Sequence, residues 1–263
     1  MSRSGYYNWK KKLPPTLTED DKLILKVFKE KKGKFGIRRL KMHIYRHHSE
    51  KFNLKKIIRI KKKLGLITLL RRPSKYSSFL RSKEVHREIP NLLCRRFKPD
   101  FGEVLLSTDV TELRYGNGQK AYLSAVQNLG SKEIMNFCVM PTPQVEMVMA
   151  GIDQMLNSIS KDKKIVLHSD QGFQYTSHIY RSKLKEYGVT QSMSRRGNCL
   201  DNAPIESFFG HLKDEAEYKE CKNFNALDKK IKNYINYYNK ERPQWGLKQK
   251  TPAEAGGEFS LFY

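Results

Sequence analysis

Apolar positions along this chain first recur at helical spacing and later gather into short strand-like runs. From Thr18 to Lys31 (TEDDKLILKVFKEK) a threonine and an acidic first turn precede Leu23, Val27 and Phe28 on one face, which predicts a capped amphipathic helix. Gly33 and Gly36 interrupt it, and Ile37 to His48 resumes helical spacing through Leu40 and Ile44. Asn53 reads as the N-cap of a third helix, Leu54 to Leu64, with Ile57, Ile58, Ile60 and Leu64 as its apolar positions and Gly65 as its stop. Two short helices and a turn before a Lys/Arg-rich third helix predict an all-α helix-turn-helix domain over residues 1–70. Residues 71–100 lose the periodicity, contain prolines and read as a basic linker, with a short helix near Glu84.

The second regime begins at Phe101. Glu103–Leu113, Lys120–Gln127 and Glu133–Met140 read as strands, and Gln144–Ile159 as one helix through Val145, Val148, Met149, Ile152, Met155 and Leu156. Lys164–His168 is a buried-type strand, Ser177–Tyr187 a helix and Thr190–Met193 a short strand. Pro204 opens a helix reaching about Lys219, with Asp201 or Asn202 as its cap, and residues 221–263 form a C-terminal helical extension in which Arg242, Pro243 and Trp245 fold the segment back by packing. This order predicts an α/β domain over residues 101–220 with a mixed five-stranded sheet.

Charge changes the picture more than composition does. Apolar residues make up 38% of 263, enough for one core and a smaller appended domain. The net charge is +24, and residues 1–100 carry 30 Lys and Arg against 8 Asp and Glu, while residues 101–263 carry 21 against 19. Such asymmetry is the footprint of a polyanion-binding module joined to a nearly neutral body. Asn53, Lys55, Lys56 and Arg59 on the third helix are the candidate DNA contacts there; Lys61, Lys62 and Lys63 extend the basic set, and the linker is expected to follow the DNA backbone. Four scattered cysteines without a Cys-x-x-Cys pair argue against a disulfide framework or a structural zinc site, and His43 and His47, one helical turn apart, lack the ligands to complete one. No run of 18 apolar residues and no signal-peptide core stand in the chain, so a cytoplasmic, nucleoid-associated protein is expected.

Three acids stand where an acid is structurally odd. Asp109 follows the apolar run Val104-Leu105-Leu106, Asp170 directly follows Ile165-Val166-Leu167 and its His-Ser pair, and Glu206 lies between Ile205 and Phe208-Phe209 at the start of the last helix of the body. Carboxylates at buried strand ends are costly unless a positive group compensates, and a divalent cation suits hard oxygen ligands. Taken singly, each acid also fits an ordinary turn or helix-terminus role.

The spacing of the three acids, with 35 residues between the last two, resembles the DDE signature of transposases and retroviral integrases. The words STDVTEL, HSDQGFQY, SRRGNCLDNAPIESFFGHLKDE and YINYYNKERPQWGLKQKTPAE, with SRSGYYNWKKK and the helix-turn-helix segment upstream, closely resemble the OrfB transposases of the insertion-sequence-three family over essentially the whole chain. The resemblance implies an RNase H-like catalytic domain in which Asp109, Asp170 and Glu206 hold two Mg²⁺ ions, with Mn²⁺ as a substitute, for cleavage of element ends and transfer of the freed 3′-hydroxyl. It also implies a DNA-phosphate role for Lys213, seven residues after Glu206. Arg195, Arg196 and Asn198, in the loop before the catalytic helix, are further candidate DNA contacts. Double-stranded DNA is the expected partner, a homo-oligomer on that DNA is expected because two ends must be joined, and an upstream reading frame is expected to supply a further helix-turn-helix and zipper segment.

Overall fold

Helix α1 (Glu19–Glu30) starts with a reciprocal cap: Thr18 Oγ1 accepts from Asp21 N at 3.3 Å and Asp21 Oδ2 accepts from Thr18 N at 3.0 Å. Helices α2 (Ile37–His48) and α3 (Leu54–Lys63) follow, the latter capped by Asn53, whose Oδ1 accepts from Lys56 N at 2.7 Å. Ile24, Val27, Phe28, Leu40, Ile44, Phe52, Ile57 and Ile60 close one core among the three helices. The inward α1 position is Ile24, with Leu23 at the margin, and Ile58 of α3 faces outward, contrary to the sequence reading. The computed structural model describes residues 3–4, 17–69, 89–195 and 199–262. The chain divides into two units, Met1–Arg71 and Arg72–Tyr263.

The second unit is built on strands β1 (Glu103–Tyr115), β2 (Gln119–Asn128), β3 (Ile134–Met140), β4 (Lys164–Ser169) and β5 (Thr190–Met193). Their order is β3-β2-β1-β4-β5, with β1–β2 and β2–β3 antiparallel and β1–β4 and β4–β5 parallel. Successive residues of a strand point to opposite faces. Leu106 of β1 therefore joins the core with the short helices α4 (Val145–Met149), α5 (Ile152–Asn157), α6 (Phe173–Thr176) and α7 (His178–Glu186), while Leu113 and Tyr115 pack under α8 (Ala203–Glu215) and α9 (Phe224–Lys240). Three antiparallel strands, two parallel ones and helices on both faces make an RNase H-like fold.

Three elements depart from the sequence reading. The helix expected over 144–159 breaks into α4 and α5 at Gly151, whose φ of +73° suits glycine. Asn136 of β3 reaches the break, donating to Ala150 O at 2.8 Å. Helix α8 stops at Glu215, and Tyr218–Glu220 continues as a separate 3-10 turn beyond Glu217 at φ +52°. The last part of the expected linker is welded to the second unit: Leu93 is buried, Leu92 N donates to Ser192 Oγ at 2.9 Å, and Arg96 pairs with Glu103 at 2.6 Å. Residues 70–88, including the helix expected near Glu84, lie outside the described residues. The C-terminal helices, α9 and α10 (Pro252–Phe262), belong to the second unit, and Leu227, Ile231, Tyr234, Ile235 and Tyr238 of α9 complete the core beneath α8.

Candidate active site

Strand register places the first two acids. Ser107 of β1 lies opposite His168 of β4 in the parallel pair, and each acid follows two residues further along its own chain, Asp109 within β1 and Asp170 just past the end of β4. Glu206 is brought to the same face by helix packing. Ser107, Asp109, Thr111 and Leu113 share one side of β1. Ser107 Oγ donates to Asn202 Oδ1 at 2.8 Å, at the N-cap position of α8, and Lys213 Nζ donates to Thr111 Oγ1. Asp109 lies between the two tethered strand positions, and Glu206 lies between the two tethered positions of the helix, one turn after Asn202 and two turns before Lys213.

Buried Tyr175 of α6 ties the two strand acids to one place. Its hydroxyl lies 3.3 Å from Thr108 Oγ1, and burial, together with the negative charges of Asp109 and Asp170, pushes its pKa well above that of an ordinary phenol. Tyr175 therefore keeps its proton and lies beneath both carboxylates as a neutral group. Sequence reasoning assigned it no role; the only signal was its place after the Asp170-Gln171-Gly172 turn. Asp109 Oδ1 accepts from Val110 N at 2.7 Å, and Asp170 Oδ1 from Gly172 N at 2.9 Å. Gly172 has an ordinary φ, but a Cβ there would meet Asp170 Oδ1 at 2.9 Å, so its missing side chain leaves room for that carboxylate.

These residues offer the oxygen-only donor set that Mg²⁺ prefers, on two adjacent strand positions and one tethered helix. Among the described residues no three His, Cys, Asp or Glu side chains are gathered closely enough to hold an ion as they stand. Strand β1, the turn after β4 and the first turns of α8 carry the three acids.

Other candidates fare differently. Asp201 is fully buried and receives Arg95 Nε at 3.0 Å, Arg195 Nε at 3.1 Å, Arg195 Nη2 at 3.2 Å and Asn91 Nδ2 at 2.9 Å. The Arg195 guanidinium, first of all, holds the Asp201 carboxyl far below the usual carboxylate range. Arg195, a DNA-contact candidate from the sequence, pairs with this buried carboxylate while most of its side chain stays exposed. Of the two cap candidates, Asn202 takes the N-cap position of α8 with Pro204 in the first turn, but it makes no side-chain cap bond because its oxygen is turned to the sheet. Arg196 and Asn198 lie outside the described residues.

On α3, Lys61 is buried, bonds Thr68 Oγ1 and lies over the Phe28 ring, while Lys63 pairs with Asp21 at 2.6 Å. Lys61 thereby belongs to the interior of the helical unit, whereas Lys63 is exposed and only its ammonium is engaged by Asp21. Lys56 is half-committed, pairing with Asp20 at 2.7 Å beside Phe52. Lys55, Ile58, Arg59 and Lys62 form the exposed stripe, and Asn53 is exposed with its oxygen used as a cap.

The chain is an enzyme of the polynucleotidyl-transferase class with an integrase-type core. The Integrase core domain family matches residues 103–199, and a second family of the same description matches 187–252. The chain is 38% identical to the protein named transposase InsK of insertion sequence element IS150 in Escherichia coli K12, over 97% of this chain and 89% of that one. It is 41% identical to a transposase-like protein of Haemophilus influenzae Rd, over 77% of this chain and 92% of the other. Among solved structures, the HTLV-2 integrase catalytic core domain in complex with magnesium aligns at 16% identity with a TM-score of 0.47, over 57% of this chain and 94% of that one. The chain belongs to the insertion-sequence transposases of the insertion-sequence-three family, OrfB type. Among the described residues no helix is long and apolar enough to cross a membrane.

Proposed function

We propose that this chain cuts the ends of an insertion element and joins them to new DNA, with Asp109, Asp170 and Glu206 as the carboxylates that hold two Mg²⁺ ions. The observation that supports this reading is the β1–β4 register at Ser107 and His168, two residues before Asp109 and Asp170, with α8 tethered to the same face of β1 on either side of Glu206. When bound, the divalent ions polarise the scissile phosphate and stabilise charge on the attacking and leaving oxygens. The chain supplies the rest. Asp109 within β1 and Asp170 just past β4 supply two of the carboxylates, Glu206 supplies the third from α8, and neutral Tyr175, bonded to Thr108, adds no charge. Lys213, held beside Asp109 by Thr111, presents an ammonium to a DNA phosphate.

The helical unit is the DNA-binding domain in this reading, with Lys55, Arg59 and Lys62 on phosphates or base edges and Asn53 and Lys56 at the margin of that face. Joining two ends calls for more than one copy on DNA, and fusion to an upstream-frame segment would add base contacts and dimer geometry. The test is incubation of the protein with end-labelled element DNA. Nicking at the element's 3′ end should require Mg²⁺ or Mn²⁺ and stop on chelation. Undiminished nicking in chelator would overturn the metal assignment.

A further inference from the structure

Two residues before each strand acid, and one helical turn before the helix acid, the chain carries a buried polar side chain: Ser107, His168 and Asn202. Ser107 and His168 are register partners on neighbouring strands, Ser107 Oγ bonds Asn202 Oδ1 at 2.8 Å, and His168 Nδ1 lies 2.9 Å from Ser192 Oγ of β5. The group therefore links β1, β4 and β5 to the start of α8.

Two features set it apart from ordinary core polarity. Among the described residues Asn202 Nδ2 is buried without a hydrogen-bond partner, a condition that costs folding free energy, and fully buried His168 is held between Ser192 and the Asp201 backbone. Asn202 also stands at the N-cap position of α8, where an asparagine side chain commonly accepts from the helix's own first turn, yet it makes no such bond and reaches the sheet instead. Local helix stability and full polar satisfaction are both given up for a tether between the helix start and the strand that carry Glu206 and Asp109.

We propose that Ser107, His168 and Asn202 form a positioning layer that sets the relative placement of the three carboxylates, without touching DNA or metal themselves. The layer rests on the assignment of Asp109, Asp170 and Glu206 as the catalytic set. In this arrangement Asn202 fixes where α8 begins along β1, and His168 fixes β4 against β5 behind Asp170. Removing either polar group lets the acids drift by a fraction of an ångström, which catalysis feels far more than folding does.

The experiment uses full-length protein, end-labelled element DNA and Mg²⁺ and measures single-turnover nicking per folded molecule, the DNA Kd and the Tm. For Asn202→Leu, similar in size and apolar, nicking should fall about 100-fold while DNA affinity stays within about twofold and Tm does not drop. A variant that nicks within about threefold of the parent per folded molecule overturns the layer, and so does a rate loss fully explained by unfolding. His168→Asn, which keeps a polar atom near the Nδ1 position, should exceed His168→Leu by about tenfold, and equal rates for the two would count against the histidine's part. Asp109→Asn is run alongside. Full activity in that variant would instead sink the triad, so the two failures remain distinguishable.

Discussion

At the scale of single residues, the three acids stand out in the sequence because each follows or interrupts an apolar run, whereas the side chains packed around them do not. Asp201 and Asn202 both look like helix caps from sequence. Only the folded arrangement turns one to Arg95 and Arg195 and the other to Ser107. A side chain with two competing partners is decided by tertiary distance, which local sequence does not encode. Gly172 makes a sharp prediction here. Gly172→Ala would press a methyl group against Asp170 Oδ1 at 2.9 Å without straining the backbone, so the carboxylate must move. Nicking should fall by roughly 10- to 100-fold with little change in Tm, and an unaltered rate would show that Asp170 tolerates displacement.

His43 offers a second residue-scale prediction. Burial, then the charges of His47, Lys31, His48 and Arg39, lower its pKa from 6.5 to about 4, and its ring stands edge-on to Phe35. The folded state thus binds fewer protons than the unfolded one between those values. Stability of the helical unit from this group is complete above pH 6.5 and is lost as pH falls toward about 4. A proton NMR titration of the His43 ring should give a midpoint near 4, and a midpoint near 6.5 would contradict the burial.

At the scale of elements, periodicity located nearly every helix and strand but not the breaks that tertiary partners impose. The apolar spacing from Val145 to Leu156 continues through Gly151 as if one helix ran on. The Asn136 amide and the left-handed glycine split it. The C-terminal segment shows the same limit. Arg242 was read as a packing residue, and it is buried with its guanidinium bidentate on Glu215 at the end of α8, at 3.0 and 2.9 Å, while Tyr234 donates to the same carboxylate at 3.0 Å. Arg242→Ala would leave Glu215 buried without this partner and should cost about 3 kcal/mol or more. Chemical denaturation measures it, and a loss under about 1 kcal/mol would show the pair to be solvent-screened. Trp245, expected to pack, remains 38% exposed.

At the scale of the whole molecule, charge asymmetry was the most durable sequence signal, although its distribution over side chains was not. Lys61 adds to the net charge of the first third but is buried in the fold of the helical unit, and Lys63 is engaged by Asp21. If the exposed stripe of Lys55, Arg59 and Lys62 binds DNA as proposed, it would offer fewer phosphate contacts than the raw count implies. DNA affinity of the full chain should fall with salt at about −0.9 per phosphate contact on logarithmic axes, and Lys55→Ala or Lys62→Ala should each flatten the slope by about one contact. Lys61→Met should leave the slope unchanged. A flattening by Lys61→Met equal to that of Lys62→Ala would place the buried lysine on DNA after all.

If Asp109, Asp170 and Glu206 together perform strand transfer, joining reports on them more directly than cutting does. Labelled element-end DNA, unlabelled supercoiled target and Mg²⁺ are incubated with the parent protein and with Asp109→Asn, Asp170→Asn and Glu206→Gln. The account predicts label covalently joined to target for the parent, and none for any variant, with DNA binding by all four alike. Joined product from any one of the three variants at near-parental yield would contradict it.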